Sequence, residues 1–160
     1  EPSIGVVMDG MFLGTSSGVL LDNFDIERIE VLRGPQGTLF GKNTTGGILN
    51  VIRTPVSLNE IGFDASLTIG DFGRQDLKTV IQVPIIEDQL GVKIFAANIE
   101  HDGHVYNTYL DRHAGGDDKL NYGFTVLWEP NDQLSMKLHH EIMQDKSEQG
   151  VYVIETQWVF

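Results

Sequence analysis

The chain has 160 residues, no cysteine, and a formal charge of −12 from 23 acidic and 11 basic side chains. The lack of cysteine excludes disulfides, thiolate metal sites and cysteine nucleophiles, and the acidic balance disfavours nucleic acid as a partner because phosphate binding needs clustered Lys and Arg. No run reaches the ~18 apolar residues of a membrane-spanning helix, although the length is enough for one domain with a substantial core.

The sequence opens with a hairpin pattern. Two short apolar runs, Ile4–Met8 and Met11–Leu13, are joined by Asp9-Gly10. Asp-Gly is typical of a two-residue hairpin turn because both turn positions need a positive φ. We therefore expect two antiparallel strands here, followed by a loop at residues 16–18.

A polar run and two strand-like segments follow the hairpin. Residues 22–25 are Asp-Asn-Phe-Asp, and they can cap a short helical turn through Ile26-Glu27. Strands are expected at residues 28–33 and at Ile48–Ile52, and Thr54-Pro55 closes the segment because proline cannot donate to a ladder. The first half is therefore predicted to be a small α+β unit with three or four short strands.

Glycines are concentrated between these two predicted strands. They are Gly34, Gly37, Gly41, Gly46 and Gly47. A phosphate-binding loop is one explanation, but Gln36 stands where the P-loop pattern needs glycine and Asn43 stands where it needs Ser or Thr. The sequence thus argues against nucleotide binding and predicts tight turns, positive φ angles or a close approach to the main chain.

From about residue 60 the pattern changes to segments of about ten residues with alternating character. The clearest segment places five apolar side chains on one face: Leu120, Tyr122, Phe124, Val126 and Trp128. A predicted turn at Pro130–Asp132 leads to a further apolar set: Leu134, Met136, Leu138 and Ile142. An earlier turn is predicted at Glu87–Gln89. These segments are expected to be antiparallel strands joined in chain order.

Two architectures fit such segments: a soluble β-sandwich, and an outer-membrane barrel with lipid outside and water inside. The connections near residues 86–90 and 130–133 are short, whereas residues 103–118 form a long one, and this alternation is typical of barrels. Tyr122 and Trp128 near the ends of the apolar face would suit the aromatic girdles of a barrel. Periodicity alone leaves both architectures open.

The glycine-rich stretch carries a family resemblance. Residues 26–55, IERIEVLRGPQGTLFGKNTTGGILNVIRTP, closely resemble the second half of the plug domain of TonB-dependent outer-membrane receptors of the ferric-siderophore type. The upstream stretch SIGVVMDGMFLGTSSGVLLDNFDIERIEVLRG fits the same plug pattern, and DASLTIGDFGRQDLKTVIQVPIIEDQLGVKIFAANIEHDGHV resembles the first barrel strands. The resemblance implies an α+β plug domain at residues 1–56, followed at 57–160 by antiparallel β-strands of a truncated 22-stranded transmembrane β-barrel.

The same resemblance implies a receptor and transporter in the outer membrane of a Gram-negative bacterium, surrounded by outer-membrane lipid. It would bind a ferric siderophore or a similar scarce nutrient and import it when TonB moves the plug. The TonB-contacting segment would lie upstream of Glu1, and the sequence is expected to be a piece of a longer protein. No cofactor is implied, and no enzyme activity, since no carboxylate pair is singled out by spacing for acid–base chemistry.

Site residues are implied by the family pattern in two groups. The apical plug loops, which face the substrate, contain Phe12, Gly14, Thr15, Ser16, Leu39, Phe40, Gly41, Lys42 and Asn43. The second group is implied either to lock the plug to the barrel or to give the plug its shape, and it consists of Arg33, Gly34, Pro35, Gly37, Gly46, Gly47 and Asn50. Family members often carry Tyr at the position of Phe40, so the flat apolar surface remains there without the hydroxyl. Arg33 is expected to pair with glutamates of later strands.

Other interpretations remain open at the level of sequence. One long loop contains a set of metal-ligand residue types: His101, Asp102, His104, Asp111 and His113. Their spacing does not repeat, so no metal site is expected. Lys137 and His139 are expected to be solvated lining groups. The alternative function is that of a soluble β-rich binding or adhesion module without transport activity.

Overall fold

The computed structural model of the protein describes residues 4–13, 24–34, 37 and 46–148. The chain divides into two compact units, Glu1–Pro55 and Val56–Phe160. The domain boundary predicted after residue 56 lies one residue beyond this division. Within the described ranges, no helix is both long and apolar enough to cross a membrane.

The first unit contains a four-stranded mixed sheet. Its strands are β1 (Ile4–Met8), β2 (Met11–Leu13), β3 (Ile26–Arg33) and β4 (Gly47–Arg53), in the spatial order β2-β1-β4-β3. β1 runs parallel to β4, and each outer strand is antiparallel to its neighbour. The central pair holds the buried side chains Val6, Val7, Ile48 and Val51. Successive residues such as Val6 and Val7 are both buried, which is typical of a central parallel pair covered on both faces.

The predicted opening hairpin is confirmed. Asp9 and Gly10 have φ angles of 47° and 84°, and Met8 pairs with Met11 across the turn. The backbone N of Asp9 also donates a hydrogen bond of 3.0 Å to the carbonyl of Val51. The turn is therefore tied to β4 as well as to its own two strands.

The predicted helical turn at Ile26-Glu27 is wrong, because both residues lie in β3. Ile26 pairs with Arg53 of β4, with a bulge directly after it. The chain bends one residue earlier, at Asp25, whose φ is 55° and whose carbonyl accepts a 3.0 Å hydrogen bond from the backbone N of Thr54. Strand β4 supplies hydrogen-bond partners for this part of the backbone, so the segment forms a strand and not a helical turn with a side-chain cap. Residues 22 and 23 lie outside the described ranges.

The second unit contains seven described strands. They are β5 (Gly62–Ile69), β6 (Gln75–Ile86), β7 (Leu90–His101), β8 (Val105–Asn107), β9 (Arg112–Ala114), β10 (Asp117–Asn131) and β11 (Leu134–Asp145). Five of them form one antiparallel sheet in the order β5-β6-β7-β10-β11, and β8 pairs with β9 in a separate hairpin. The sheet is thus an up-and-down meander with one hairpin inserted between β7 and β10.

Both predicted short connections are present, one of them with corrected bounds. Residues 87–89 join β6 to β7 as expected. The second turn was predicted at Pro130–Asp132, but β10 continues through Asn131 and the turn is Asp132-Gln133. The pairing with β11 shifts register between Trp128 and Asn131. This bulge accommodates the proline, which cannot donate to a regular ladder.

Candidate functional site

One face of the five-stranded sheet is apolar and exposed. We call this face the apolar face. It carries large hydrophobic side chains that are substantially exposed: Phe63, Leu67, Ile69, Leu77, Ile81, Ile94, Tyr122, Trp128, Met136 and Leu138. The exposed fraction reaches 75% at Ile69 and 60% at Leu138. Water-soluble proteins rarely expose a contiguous apolar patch of more than a few hundred Å². The apolar face is therefore suited to an apolar environment.

Two aromatic side chains lie toward opposite ends of the apolar face. Tyr122 and Trp128 are both on β10, and both rings are about 40% exposed. Six residues of antiparallel strand separate them, which corresponds to about 20 Å along the strand. The outward apolar band of an outer-membrane barrel is ~25 Å tall and has aromatic girdles at both edges. The positions of these two rings fit that arrangement.

The opposite face of the sheet, which we call the polar face, buries polar and charged side chains. They are Asp76, Lys93, Lys119 and Thr125. Asp76 and Lys93 are only 3% and 2% exposed. Burial of charged groups is costly without partners, and the Oδ2 of Asp76 accepts from Arg74 at 2.7 Å. The alternating pattern in the sequence does not identify which polar residues are buried.

A hydrogen-bonded chain of side chains crosses β10 and β11 on the polar face. His139 Nδ1 lies 2.8 Å from the hydroxyl of Thr125, and its Nε2 lies 3.4 Å from Glu141. Asn121 donates to the other carboxylate oxygen of Glu141 at 2.9 Å. The imidazole also stacks on the ring of Phe95, with 5.8 Å between centroids. His139 thus lies on the polar face, as a lining group would, but it is only partly exposed and cross-strand partners hold it.

The long connection between β7 and β10 is tied to the end of β11. Arg112 of β9 donates to the carboxylate of Glu148, whose other oxygen accepts from the backbone N of Gly115 at 3.0 Å. The backbone N of Glu148 donates to the carbonyl of Gly116 at 3.0 Å. These contacts, with Arg112 as the largest cause, hold the pKa of Glu148 below its ordinary value. The β8–β9 hairpin is thus fixed at this end of the unit.

Aromatic contacts also order the hairpin. The ring of His113 packs edge-on against Phe72 and Tyr106, with centroid distances of 5.6 and 5.4 Å. The hydroxyl of Tyr106 donates to Asp111, and this bond, together with burial, raises the pKa of the tyrosine. His113 and Asp111 therefore serve as packing and hydrogen-bonding groups within the hairpin.

Charged side chains cluster on the polar face, at the end of the sheet that carries the β8–β9 hairpin. Asp117 accepts from His101 and from Lys119, each at 3.0 Å, and Arg74 pairs with Asp76 nearby in the ladder. Beside them lies a cavity of about 480 Å³ whose polar lining includes Glu100, His101, Asp117 and Glu148. Within the described ranges, no three His, Asp or Glu side chains are grouped so as to hold a metal ion. The loop residues considered from sequence as metal ligands are thus not brought together.

Most predicted substrate-binding residues lie outside the part of the chain that the structure describes. Phe12 is described, and it lies on β2 with a side chain 41% exposed. The others, Gly14, Thr15, Ser16, Leu39, Phe40, Gly41, Lys42 and Asn43, fall outside the described ranges. Their role in binding stays a prediction.

The structure describes only some of the residues that were predicted to lock or to shape the plug. Arg33 is exposed at the end of β3 and pairs with Gly47, the first residue of β4. Gly34 and Gly47 have φ angles of 88° and 141°, as the glycine pattern predicted. Gly37 and Gly46 are exposed, whereas Pro35 lies outside the described ranges. The lock itself remains a prediction.

The partners of Asn50 lie on the neighbouring strand β3. The side-chain amide of Asn50 donates to Glu30 at 2.9 Å, and Arg28 donates to the other oxygen of that carboxylate at 2.9 Å. The pairing register of β3 with β4 brings Asn50 and Glu30 together. No local pattern in the sequence predicts that register.

Comparison with known proteins gives one family match and several relatives. Residues 1–48 match the family model described as the TonB-dependent Receptor Plug Domain. The pesticin receptor of Yersinia enterocolitica is 39% identical over 52 residues, which are 32% of this chain and 8% of that receptor. The catecholate siderophore receptor Fiu of Escherichia coli K12 is 34% identical over 85 residues, which are 51% of this chain and 11% of that receptor.

A solved structure is similar in fold. The crystal structure of the ferric yersiniabactin uptake receptor FyuA from Yersinia pestis matches with a TM-score of 0.72 at 24% identity, covering 81% of this chain and 20% of that one. The chain therefore spans only a small part of each of these proteins. The matched part of this chain has more residues than either of its two units. The likeness in fold therefore includes residues of both units.

Proposed function

We propose that the chain is part of a TonB-dependent receptor, a protein of the outer membrane that imports a scarce nutrient when TonB acts on the plug; the plug-domain match at residues 1–48 and the similar receptors support this. In this proposal, residues 1–56 belong to the plug and residues 57–160 are the first strands of a 22-stranded barrel. The activity is binding and transport, without covalent chemistry on the ligand.

The opposite character of the two sheet faces is the observation that carries the proposal. An apolar face meets lipid, and a polar face with partly buried ion pairs and hydrogen bonds lines the interior of a barrel. Among the described strands, β5 and β11 form the edges of the sheet, and these edges need further strands because unpaired backbone groups are not tolerated in hydrocarbon. The alternative of a soluble binding module is disfavoured, since it would leave the apolar face in water.

The proposed ligand is a ferric siderophore. Two of the similar proteins are named as a catecholate siderophore receptor and a ferric yersiniabactin uptake receptor, and we extend that class of ligand to this chain. The apical plug loops around Phe12 and Phe40 would present apolar ring surface to the complex, and Lys42 would present a cation. Which siderophore binds is set by these loops together with the rest of the complete receptor.

Arg33 is proposed to hold the plug in the closed state. Its side chain is exposed at the end of β3, directly before the glycine-rich connection. A guanidinium at this position suits bidentate pairing with carboxylates of later barrel strands. Release of such pairs would accompany the movement of the plug that TonB drives.

Uptake measurements on the complete receptor test the proposal. The receptor is produced in a strain without its own siderophore receptors, under iron limitation, with and without TonB. We expect TonB-dependent uptake of radioactive iron from at least one ferric siderophore, and fractionation of the protein with the outer membrane. Recovery in the soluble fraction, or uptake that does not depend on TonB, would contradict the proposal.

A further inference from the structure

The chain enters the second unit through residues 56–58, which we call the strap. Val56 is buried, with 8% of its surface exposed. The backbone N of Ser57 donates to the side chain of Gln82 on β6 at 3.2 Å, and the backbone N of Asp88 donates to the carbonyl of Leu58 at 3.2 Å. The strap is therefore held by β6 and by the turn between β6 and β7, although it is not itself a strand of the sheet.

Gly91 of β7 makes room for the strap. A Cβ at this position would lie 2.7 Å from the carbonyl oxygen of Ser57, 2.8 Å from Cγ1 of Val56 and 3.1 Å from Cδ2 of Leu58. A real Cβ does not approach a backbone oxygen so closely, so any larger residue at position 91 forces the strap to move. The close approach requires glycine here for reasons of space.

The residues before the strap are bonded within the first unit. The backbone N of Arg53 donates to the carboxylate of Asp9 at 3.1 Å, and the backbone N of Thr54 donates to the carbonyl of Asp25 at 3.0 Å. Pro55 lies between the last of these bonds and the strap. Its ring fixes φ near about −65°, and the residue before a proline is restricted as well. Pro55 is therefore a conformationally restricted junction residue between these bonds and the strap.

We propose that the strap is a fixed anchor, which stays on β6 and β7 while the plug moves, so that the moving and the stationary parts of the chain divide at Pro55, one residue before the plug boundary proposed above. The inference rests on the proposed function, because it concerns plug movement in a complete receptor. A segment with one buried side chain and hydrogen bonds to two neighbouring elements opens less readily than an exposed linker. Movement is then confined to residues before the junction.

Amide hydrogen exchange of the complete receptor tests whether Gly91 holds the strap. The variant is Gly91→Ala, and the matched control is Gly70→Ala, where the nearest atoms to a Cβ would be those of the Arg74 side chain, at 3.5 Å. We expect the amides of Ser57 and Asp88 to exchange about tenfold faster in Gly91→Ala, and at the wild-type rate in Gly70→Ala. Exchange at the wild-type rate in Gly91→Ala overturns the anchor.

A cross-link tests whether the anchor stays closed during transport. The side-chain amide of Asn59, directly after the strap, reaches the carboxylate of Asp88 at 2.6 Å. Because the chain has no cysteine, Asn59→Cys with Asp88→Cys adds one pair of thiols, which a short reducible thiol cross-linker joins in the complete receptor. We expect the same iron uptake before and after reduction. Uptake that is lost on cross-linking and restored by reduction overturns the anchor, whereas absence of uptake in the reduced form and in the wild type contradicts the proposed function instead.

Discussion

The side-chain amide of Asn50 on β4 donates a hydrogen bond of 2.9 Å to Glu30 on β3, its direct partner in the antiparallel register. Arg28 donates to the second oxygen of the same carboxylate. Asn50 was identified from the family pattern alone, whereas its contact to Glu30 comes from the structure. The contact joins the two strands that flank the glycine-rich stretch, and it therefore helps to define where that stretch begins and ends.

Glu30 is expected to make the stability of the plug depend on pH. The hydrogen bond from Arg28, followed by that from Asn50, lowers the pKa of Glu30 below its ordinary value of 4.5. A lowered pKa in the folded state stabilises the fold above the unfolded-state pKa, and this contribution is lost as the pH falls through the folded-state pKa. Glu30→Gln should therefore lower the unfolding midpoint of the plug at neutral pH, with a difference from wild type that shrinks below pH 4.5.

Chemical unfolding of the complete receptor across a pH series measures this difference. Glu60→Gln is the matched control, because that side chain is exposed on the segment before β5. A difference between Glu30→Gln and wild type that stays constant from neutral to acidic pH would show that the ion pair does not contribute as described.

Gly47 is expected to be intolerant of any side chain. Its φ is 141°, and a Cβ there would lie 2.5 Å from the carbonyl oxygen of Leu32 on β3. Gly47→Ala should destabilise the plug by about 1–3 kcal/mol, because the backbone must leave this conformation and the contact with β3 must open. Limited proteolysis and urea unfolding of the receptor report on the change. Gly70→Ala is the control, and equal stability of the two variants would refute the expectation.

The period of two along β10 was enough to predict which side chains share a face, since Leu120 to Trp128 alternate without interruption. The Asp9-Gly10 turn was likewise predictable from local chemistry. The start of β3 at Ile26 was not, because pairing with β4 overrides the local capping pattern. Contacts such as Thr125 with His139 depend on how β10 and β11 are aligned, and that register is a tertiary property which a single sequence does not reveal.

The two faces of β5 are expected to respond differently to charge. Leu67 lies on the apolar face with 66% of its surface exposed, and the neighbouring Ser66 lies on the polar face. A lysine on the lipid side of a barrel costs ~2–4 kcal/mol at the bilayer midplane and less toward the interfaces. Leu67→Lys should therefore destabilise the complete receptor in a bilayer by about 2 kcal/mol, and Ser66→Lys should have little effect. Equal effects of the two substitutions would argue against a lipid-facing surface here.

Glu148 is expected to control the β8–β9 hairpin in a pH-dependent manner. The hydrogen bonds from Arg112 and from the backbone of Gly115 favour the ionised carboxylate and lower its pKa. By the same linkage, the tie is fully formed above the ordinary glutamate pKa and is lost as the pH falls through the lowered value. Glu148→Gln removes the charge at all pH values, so the amide of Gly115 should exchange faster than in wild type at neutral pH. The two proteins should converge at acidic pH, after correction for intrinsic exchange. A Gly115 amide equally protected in both at neutral pH would mean that Glu148 does not hold the hairpin.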